Sequence, residues 1–250
     1  MIVKLTRTSQ AHVVVWEMGR GPGGRAAVRR SRAQPSVCIP HGAPAFTVSS
    51  DRFAQLVDEL ADSGVVDKWA DVQLGRALCA QNDISWEHVS APGLVLYHGK
   101  PDFGRACSHL LEESKAECHF QSVVDKCSWQ DGRWLLSVGD TVHEFDSLVV
   151  TSHSAAHSRW KQIFGRDPPL EAVANERPGD EHLTSLLAGL AKIESKPVYS
   201  LLLSYIDRDA AAWNKLPYDL VHVENHPILR KLVIVRDGAA PQRSGCPQHI

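Results

Sequence analysis

An α/β fold is predicted for this chain of 250 residues, and three stretches predict it. Val13-Val14-Val15-Trp16-Glu17 is an apolar strand ending in an acid, followed at once by Gly19-Arg20-Gly21-Pro22-Gly23-Gly24-Arg25. Phe53, Leu56, Val57 and Leu60 recur at i, i+3, i+4 and i+7, the apolar stripe of a helix over Asp51–Ser63. Leu148-Val149-Val150 forms the centre of a second buried strand, Phe145–Thr151.

The first stretch carries the chemistry. Three β-branched valines suit a strand covered on both faces. Glu17 falls at its carboxyl end, where an acid in a dinucleotide-binding fold accepts hydrogen bonds from a ribose hydroxyl pair. Gly21, Gly23 and Gly24 lack a Cβ and let the backbone approach a phosphate. Arg25 offers a forked, permanently charged partner for the same group. The alternative is a plain strand, a loop and a solvated arginine.

Composition narrows the class. The chain is 43% hydrophobic and 22% charged, with a formal net charge of -2. That is ordinary for a globular protein and gives no overall attraction to nucleic acid or an anionic membrane. No apolar run is long enough to span a bilayer. Cys38, Cys79, Cys107, Cys118, Cys127 and Cys246 are scattered, with no C-x-x-C pair. They read as reduced thiols, so a cytoplasmic location is expected, and no metal site is expected. His153 and His157 stand at i and i+4, but the glutamate of a zinc-protease motif is absent.

The rest of the chain is read in order. Residues 1–11 suit the end of a helix. Arg20, Arg25, Arg29, Arg30 and Arg32 form a run without an intervening acid, a local anion site. It lacks the aromatic residues that would stack on bases. Pro40 to Thr47 is a shaped loop punctuated by proline and glycine. A strand is expected over 65–74, a turn over 79–83 and a hairpin over 85–97 around Pro92-Gly93. Pro101 at a first helical position opens a helix carrying Phe103, Ala106, Cys107, Leu110 and Leu111. A strand over 118–129, the Asp131-Gly132 turn and a return over 133–138 form a hairpin. Helices are expected over 153–164, stopped by Asp167-Pro168-Pro169, and over 180–193. Strands follow over 198–205, 220–223 and 229–236, then a loop over 238–250.

Glu17, the Gly19–Arg25 run, the following arginines and His41-Gly42-Ala43-Pro44-Ala45-Phe46-Thr47 together resemble flavin-dependent amine oxidases. The renalase-like branch, with its "RGxGGR" and "hGAxxFT" segments, is the most similar. The resemblance runs from about Val13 to Asp237. It implies an FAD-binding Rossmann-like domain (residues 1–64 and 99–155) interleaved with a mixed-sheet substrate domain (residues 65–98 and 156–250). It also implies a flavoprotein oxidoreductase that oxidises a small amine or a nicotinamide dinucleotide such as NAD(P)H.

Carried over by residue, the resemblance assigns Glu17 to the adenosine ribose. Arg20, Gly24 and Arg25 fall along the pyrophosphate, and Gly21 and Gly23 are further cofactor-binding candidates. The His41–Thr47 segment, with His41, Gly42 and Ala43 as its cofactor-binding residues, falls beside the flavin ring, and the backbone near Val123 and Val124 at adenine. His41 is the one catalytic candidate, as a hydrogen-bond partner of the ring or a proton carrier. It also fits a loop histidine that makes a single turn contact. The family's first strand and its G-x-G-x-x-G fingerprint stand about 20 residues before the ribose acid. Here sixteen residues precede Glu17, none of them glycine. A fold incomplete at both ends is therefore expected, and the alternative function is a catalytically inactive fragment or binding module. The expected partner is a small-molecule substrate, with no nucleic acid and no membrane.

Overall fold

The structure is a computed structural model that describes residues 11–30, 32, 38–81, 83–194, 198–205 and 207–236. The expectations for residues 1–10 and 238–250 lie outside these. The described chain is mixed α/β with several small sheets. Its first strands are β1 (Val14–Glu17), β2 (Val28–Arg30), β3 (Cys38–Pro40), β4 (Val66–Lys68), β5 (Leu74–Cys79), β6 (Ile84–His88) and β7 (Tyr97–Gly99). They continue as β8 (Glu117–Phe120), β9 (Val124–Gln130), β10 (Arg133–Val138), β11 (Thr141–Phe145), β12 (Leu220–Glu224) and β13 (Lys231–Val233). The helices are α1 (Asp51–Asp62), α2 (Phe103–Ser114), α3 (Arg159–Phe164), α4 (Pro169–Glu176), α5 (Glu181–Ala191) and α6 (Asp207–Asn214). Two short 3-10 turns lie at Gly24–Ala26 and His153–Ala156.

The chain divides by packing into two compact units. Residues 1–21 and 115–199 make the first, residues 22–114 and 200–250 the second.

In the first unit β1 pairs in parallel with β8, setting Val14 against Glu117 and Glu17 against Phe120. Strands β9, β10 and β11 form an antiparallel meander in the order β11-β10-β9. The turn from β9 to β10 is Asp131-Gly132, with φ of 49° and 80°. Positive φ at both positions is what a two-residue hairpin turn needs, and this dipeptide supplies it. Trp129 and Trp134 then face each other across the hairpin in an edge contact at 5.2 Å. Cys127, Leu136 and Val173 form the core, with Trp16, Val124, Phe145, Leu148 and Leu183 packed around it. Helix α5 is capped by the Asp180 carboxylate, which accepts the Leu183 N–H at 2.9 Å.

Several expectations change here. The strand expected over 118–129 is two strands, β8 and β9, divided at Gln121 with φ 55°. The buried strand expected over Phe145–Thr151 is not formed. Strand β11 ends at Phe145, Leu148 packs on the core, and Val149 and Val150 are exposed. The helix expected over 153–164 breaks at His157, which is extended at φ -119° and ψ 141°. His153 and His157 therefore do not share a helical face. Pro168-Pro169 opens α4 rather than only stopping the helix before it, because Pro169 sits in the first turn where no N–H is needed.

In the second unit Ser50 caps α1, its Oγ accepting the Phe53 N–H at 3.4 Å. The apolar stripe of α1 packs into a core of Val57, Leu60, Val65, Val66 and Ala106. Helix α2 begins at Phe103, two residues after Pro101, with the Asp102 carboxylate accepting the Arg105 N–H at 3.1 Å. A four-stranded sheet runs in the order β13-β12-β5-β6 over a second core of Ala77, Tyr218, Val221 and Val223.

The hairpin expected over 85–97 is absent. Strand β6 pairs with β5 and β7 pairs with β4, both antiparallel. The strand expected over 65–74 is short β4, and β5 runs through to Cys79. Strand β12 matches its expectation, whereas β13 covers only the middle of residues 229–236. The strand expected over 198–205 is not formed, and this stretch is mostly exposed. At the corner of the sheet, buried Asp219 accepts the Gln73 N–H at 2.8 Å and pairs with Arg236. The Arg236 guanidinium also donates to the carbonyls of Leu216 at 2.8 Å and Tyr218 at 3.1 Å.

Candidate functional site

The candidate residues fall in both units. In the first, parallel pairing with β8 fixes the direction of β1 and places Glu17 at its carboxyl end. The two strand exits are tied together. Ser122 donates its N–H to the Glu17 carbonyl at 3.1 Å, and Gln121 donates to the Gly19 carbonyl at 2.9 Å. The Glu17 carboxylate curls over this turn, and its Oε1 accepts the Gly19 N–H at 2.5 Å. A Cβ on Gly19 would stand 2.8 Å from that same oxygen, so the carboxylate occupies space that only glycine leaves open. Oε2 has no hydrogen-bond partner among the described residues and keeps its acceptor capacity.

Arg20 is exposed and Gly21 half-buried. Val124 opens β9, an edge strand of the meander, and its side chain packs on the Cys127–Leu136–Val173 core.

In the second unit Gly23 is left-handed at φ 108° and leads into the Gly24–Ala26 turn. The turn is closed by the Ala26 N–H to the Gly23 carbonyl at 2.7 Å. The loop carrying His41, Gly42 and Ala43 sits on it: the Ala43 N–H donates to the Arg25 carbonyl at 3.0 Å. A Cβ on Gly42 would lie 1.8 Å from that carbonyl oxygen, an impossible approach for any other residue. The structure thus brings two separate sequence motifs, Gly23–Arg25 and His41–Ala43, into direct backbone contact. The guanidinium of Arg25 is exposed and has no hydrogen bond or ion pair among the described residues.

His41 is held through its carbonyl, which accepts the Ser200 hydroxyl at 2.8 Å. Its Nδ1 is buried and has no hydrogen-bond partner among the described residues. Downstream the loop is anchored by Phe46, whose N–H and carbonyl pair with Tyr97 at 3.0 and 2.9 Å. The Phe46 ring lies 5.4–5.7 Å from Phe53, Tyr97 and Phe103.

The arginine run separates into two roles. Arg30 lies on β2, which pairs antiparallel with β3, and it reaches the buried Asp102 at 3.4 Å, tying that strand to the start of α2. It is a structural ion pair, unlike exposed Arg25. Ser122, Ser200 and Asp102 carry no local signal in the sequence, whereas Gly19 opens the glycine run two residues beyond the strand-ending acid.

Burial raises the thiols of Cys107 and Cys118, and pushes Cys127 up to about 11. These are poor nucleophiles near neutral pH. Among the described residues no group of three or more metal-ligating side chains forms, and no helix is long and apolar enough to cross a membrane.

No protein-family model and no curated protein matches the chain. Among solved structures it is similar to the tetracycline destructase Tet(51), at 12% identity with a TM-score of 0.35, over 58% of this chain and 33% of that one. It is similar to the halogenase PltM at 10% identity and a TM-score of 0.36, over 66% of this chain and 33% of that one. FqzB is matched at 15% identity and a TM-score of 0.36, over 66% of this chain and 36% of that one. The chain spans about a third of the length of each of these structures.

Proposed function

We propose that the chain is a flavin-dependent oxidoreductase that holds FAD in a Rossmann-like arrangement and oxidises a small amine or a nicotinamide dinucleotide. The supporting observation is Glu17 at the carboxyl end of a parallel strand, with one carboxylate oxygen bound by the Gly19 N–H and the other open. A ribose hydroxyl pair needs such an acceptor, so the residues present fit the adenosine end of the cofactor. Arg20 and Gly21 follow in the same unit, and the backbone at Val124 would meet adenine.

In the second unit the Gly23–Arg25 turn and the exposed Arg25 guanidinium would face phosphate. The buried, unpartnered Nδ1 of His41 would hydrogen-bond the ring or hold a proton beside it. Gly42 and Ser200 set the position of that imidazole through the loop backbone. When bound, FAD supplies hydride-accepting chemistry. In this proposal residues 1–64 and 99–155 would serve the cofactor and residues 65–98 and 156–250 the substrate.

A second reading is a binding module without turnover. It is favoured by a parallel sheet of only two strands among the described residues and by the solvent exposure of Val149 and Val150. Purified protein loaded with FAD is assayed for NAD(P)H consumption and for oxygen uptake with small amines. Turnover lost in Glu17→Gln supports the enzyme, while retained flavin without turnover favours the module. Folded protein that binds no flavin excludes both.

A further inference from the structure

The four-stranded sheet of the second unit ends on two unequal edges. The β13 edge is three residues long and begins with Lys231, a charge that discourages strand addition. The β6 edge is five residues long, exposed throughout, and lacks both lysine and proline. Its Glu87 lies 3.7 Å from Arg76 on the neighbouring strand, and Arg76 is shared with Glu224 at 3.2 Å. Ile84 and Trp86 pair with Cys79 and Ala77, so they extend the apolar face of the sheet to its rim.

The same unit holds a segment suited to that edge. Residues 201–205, Leu-Leu-Leu-Ser-Tyr, carry no charge and belong to no strand. Ser200 is bonded to the His41 carbonyl at one end, and Tyr205 stacks on Trp213 at the other. Leu201, Leu203 and Tyr205 alternate with the period of a strand. They are 82%, 54% and 43% exposed, against 51% for Ile84 and 40% for Trp86.

We infer that the β6 edge and the Leu201–Tyr205 segment pair between two copies of this chain, reciprocally, as a two-fold dimer. Both are five residues long, the segment carries no charge and β6 a single carboxylate beside Arg76, and each presents apolar side chains at alternate positions. Among the described residues neither uses the other within one chain, since β6 is bonded only to β5 and the segment to no strand. The five apolar side chains present on the order of 500 Å² per copy. Reciprocal pairing would bury an interface of about 1,000 Å², the lower bound for a specific complex. The dimer is therefore reversible, with a dissociation constant in the ~10 μM range.

Analytical ultracentrifugation of the full chain from about 1 to about 200 μM tests this. The expected result is a shift from 27.5 kDa to twice that mass, with slowed amide exchange over residues 84–88 in the dimer. Leu201→Lys with Leu203→Lys, and separately Ile84→Lys, replace exposed side chains and should leave the monomer folded by circular dichroism. Each should weaken dimerisation at least tenfold. A single 27.5 kDa species throughout, an open-ended series of larger assemblies, or dimerisation unchanged in both variants would overturn the proposal.

Discussion

The Glu17 carboxylate and the Gly19 amide share one turn: Oε1 accepts the Gly19 N–H at 2.5 Å and lies 2.8 Å from where a Gly19 Cβ would stand. Gly19→Ala must therefore displace the carboxylate. Because the turn is near the surface, the fold should lose little, under about 1 kcal/mol. FAD affinity should fall about tenfold, the scale of one charge-assisted hydrogen bond. Thermal melts and flavin titration on the same sample separate the two effects.

Gly42 and Gly189 should respond in opposite directions to alanine. At Gly42 the added Cβ meets the Arg25 carbonyl at 1.8 Å, which forces the His41 loop off the glycine turn. The expected cost is about 2–3 kcal/mol in urea unfolding. At Gly189, exposed in α5, an added Cβ meets nothing within 4 Å. There alanine should stabilise by roughly 0.5–1 kcal/mol through helix propensity.

Asp219 and Arg236 hold the corner of the four-stranded sheet. Both side chains are largely shielded from water, at 9% and 14% exposure. Asp219→Ala leaves the guanidinium without its counter-charge and the Gln73 amide without its acceptor. A loss of about 3–5 kcal/mol is expected in denaturant titration. Replacing both residues by apolar side chains of similar volume should cost less than the single change.

Cys127 gives the core of the first unit a signed pH dependence. Its folded thiol is pushed up to about 11 by burial, from an ordinary value of 9.0. The unfolded chain therefore loses this proton first. The thiol's contribution is fully present below pH about 9 and is lost as pH rises towards about 11. Cys127→Ala should flatten that part of the stability profile, at the cost of a small cavity. At pH about 8 a thiol reagent should modify Cys127 only after unfolding.

Local chemistry explains which elements were legible in the sequence. The stripe of α1 and its Ser50 cap are written within 14 residues, 50–63, so they could be read directly. The Asp131-Gly132 turn is equally local. The strand ending at Glu17 was legible because its valines and its acid are contiguous. Pairing was not legible, since it depends on distant residues. Tyr97 was assigned to a hairpin with its neighbours, yet it bonds Phe46, and β6 bonds β5. Val149 and Val150 have strand propensity, but no strand among the described residues pairs with them. Within the candidate site, Glu17 and the glycines were visible by type. The seating of Gly42 on Arg25 and the hold of Ser200 on His41 join residues 17 and 159 positions apart, and no local pattern announces them.

In the proposed flavin site Glu17 receives the adenosine ribose of FAD. Isothermal titration of the purified chain with FAD and with FMN, which lacks that ribose, separates this contact from the rest of the site. FAD should bind at micromolar concentration or tighter and more tightly than FMN. Glu17→Gln should weaken FAD by about tenfold and leave FMN unchanged. Folded protein that takes up no FAD at about 100 μM, or a Glu17→Gln variant that binds FAD like the parent, would contradict it.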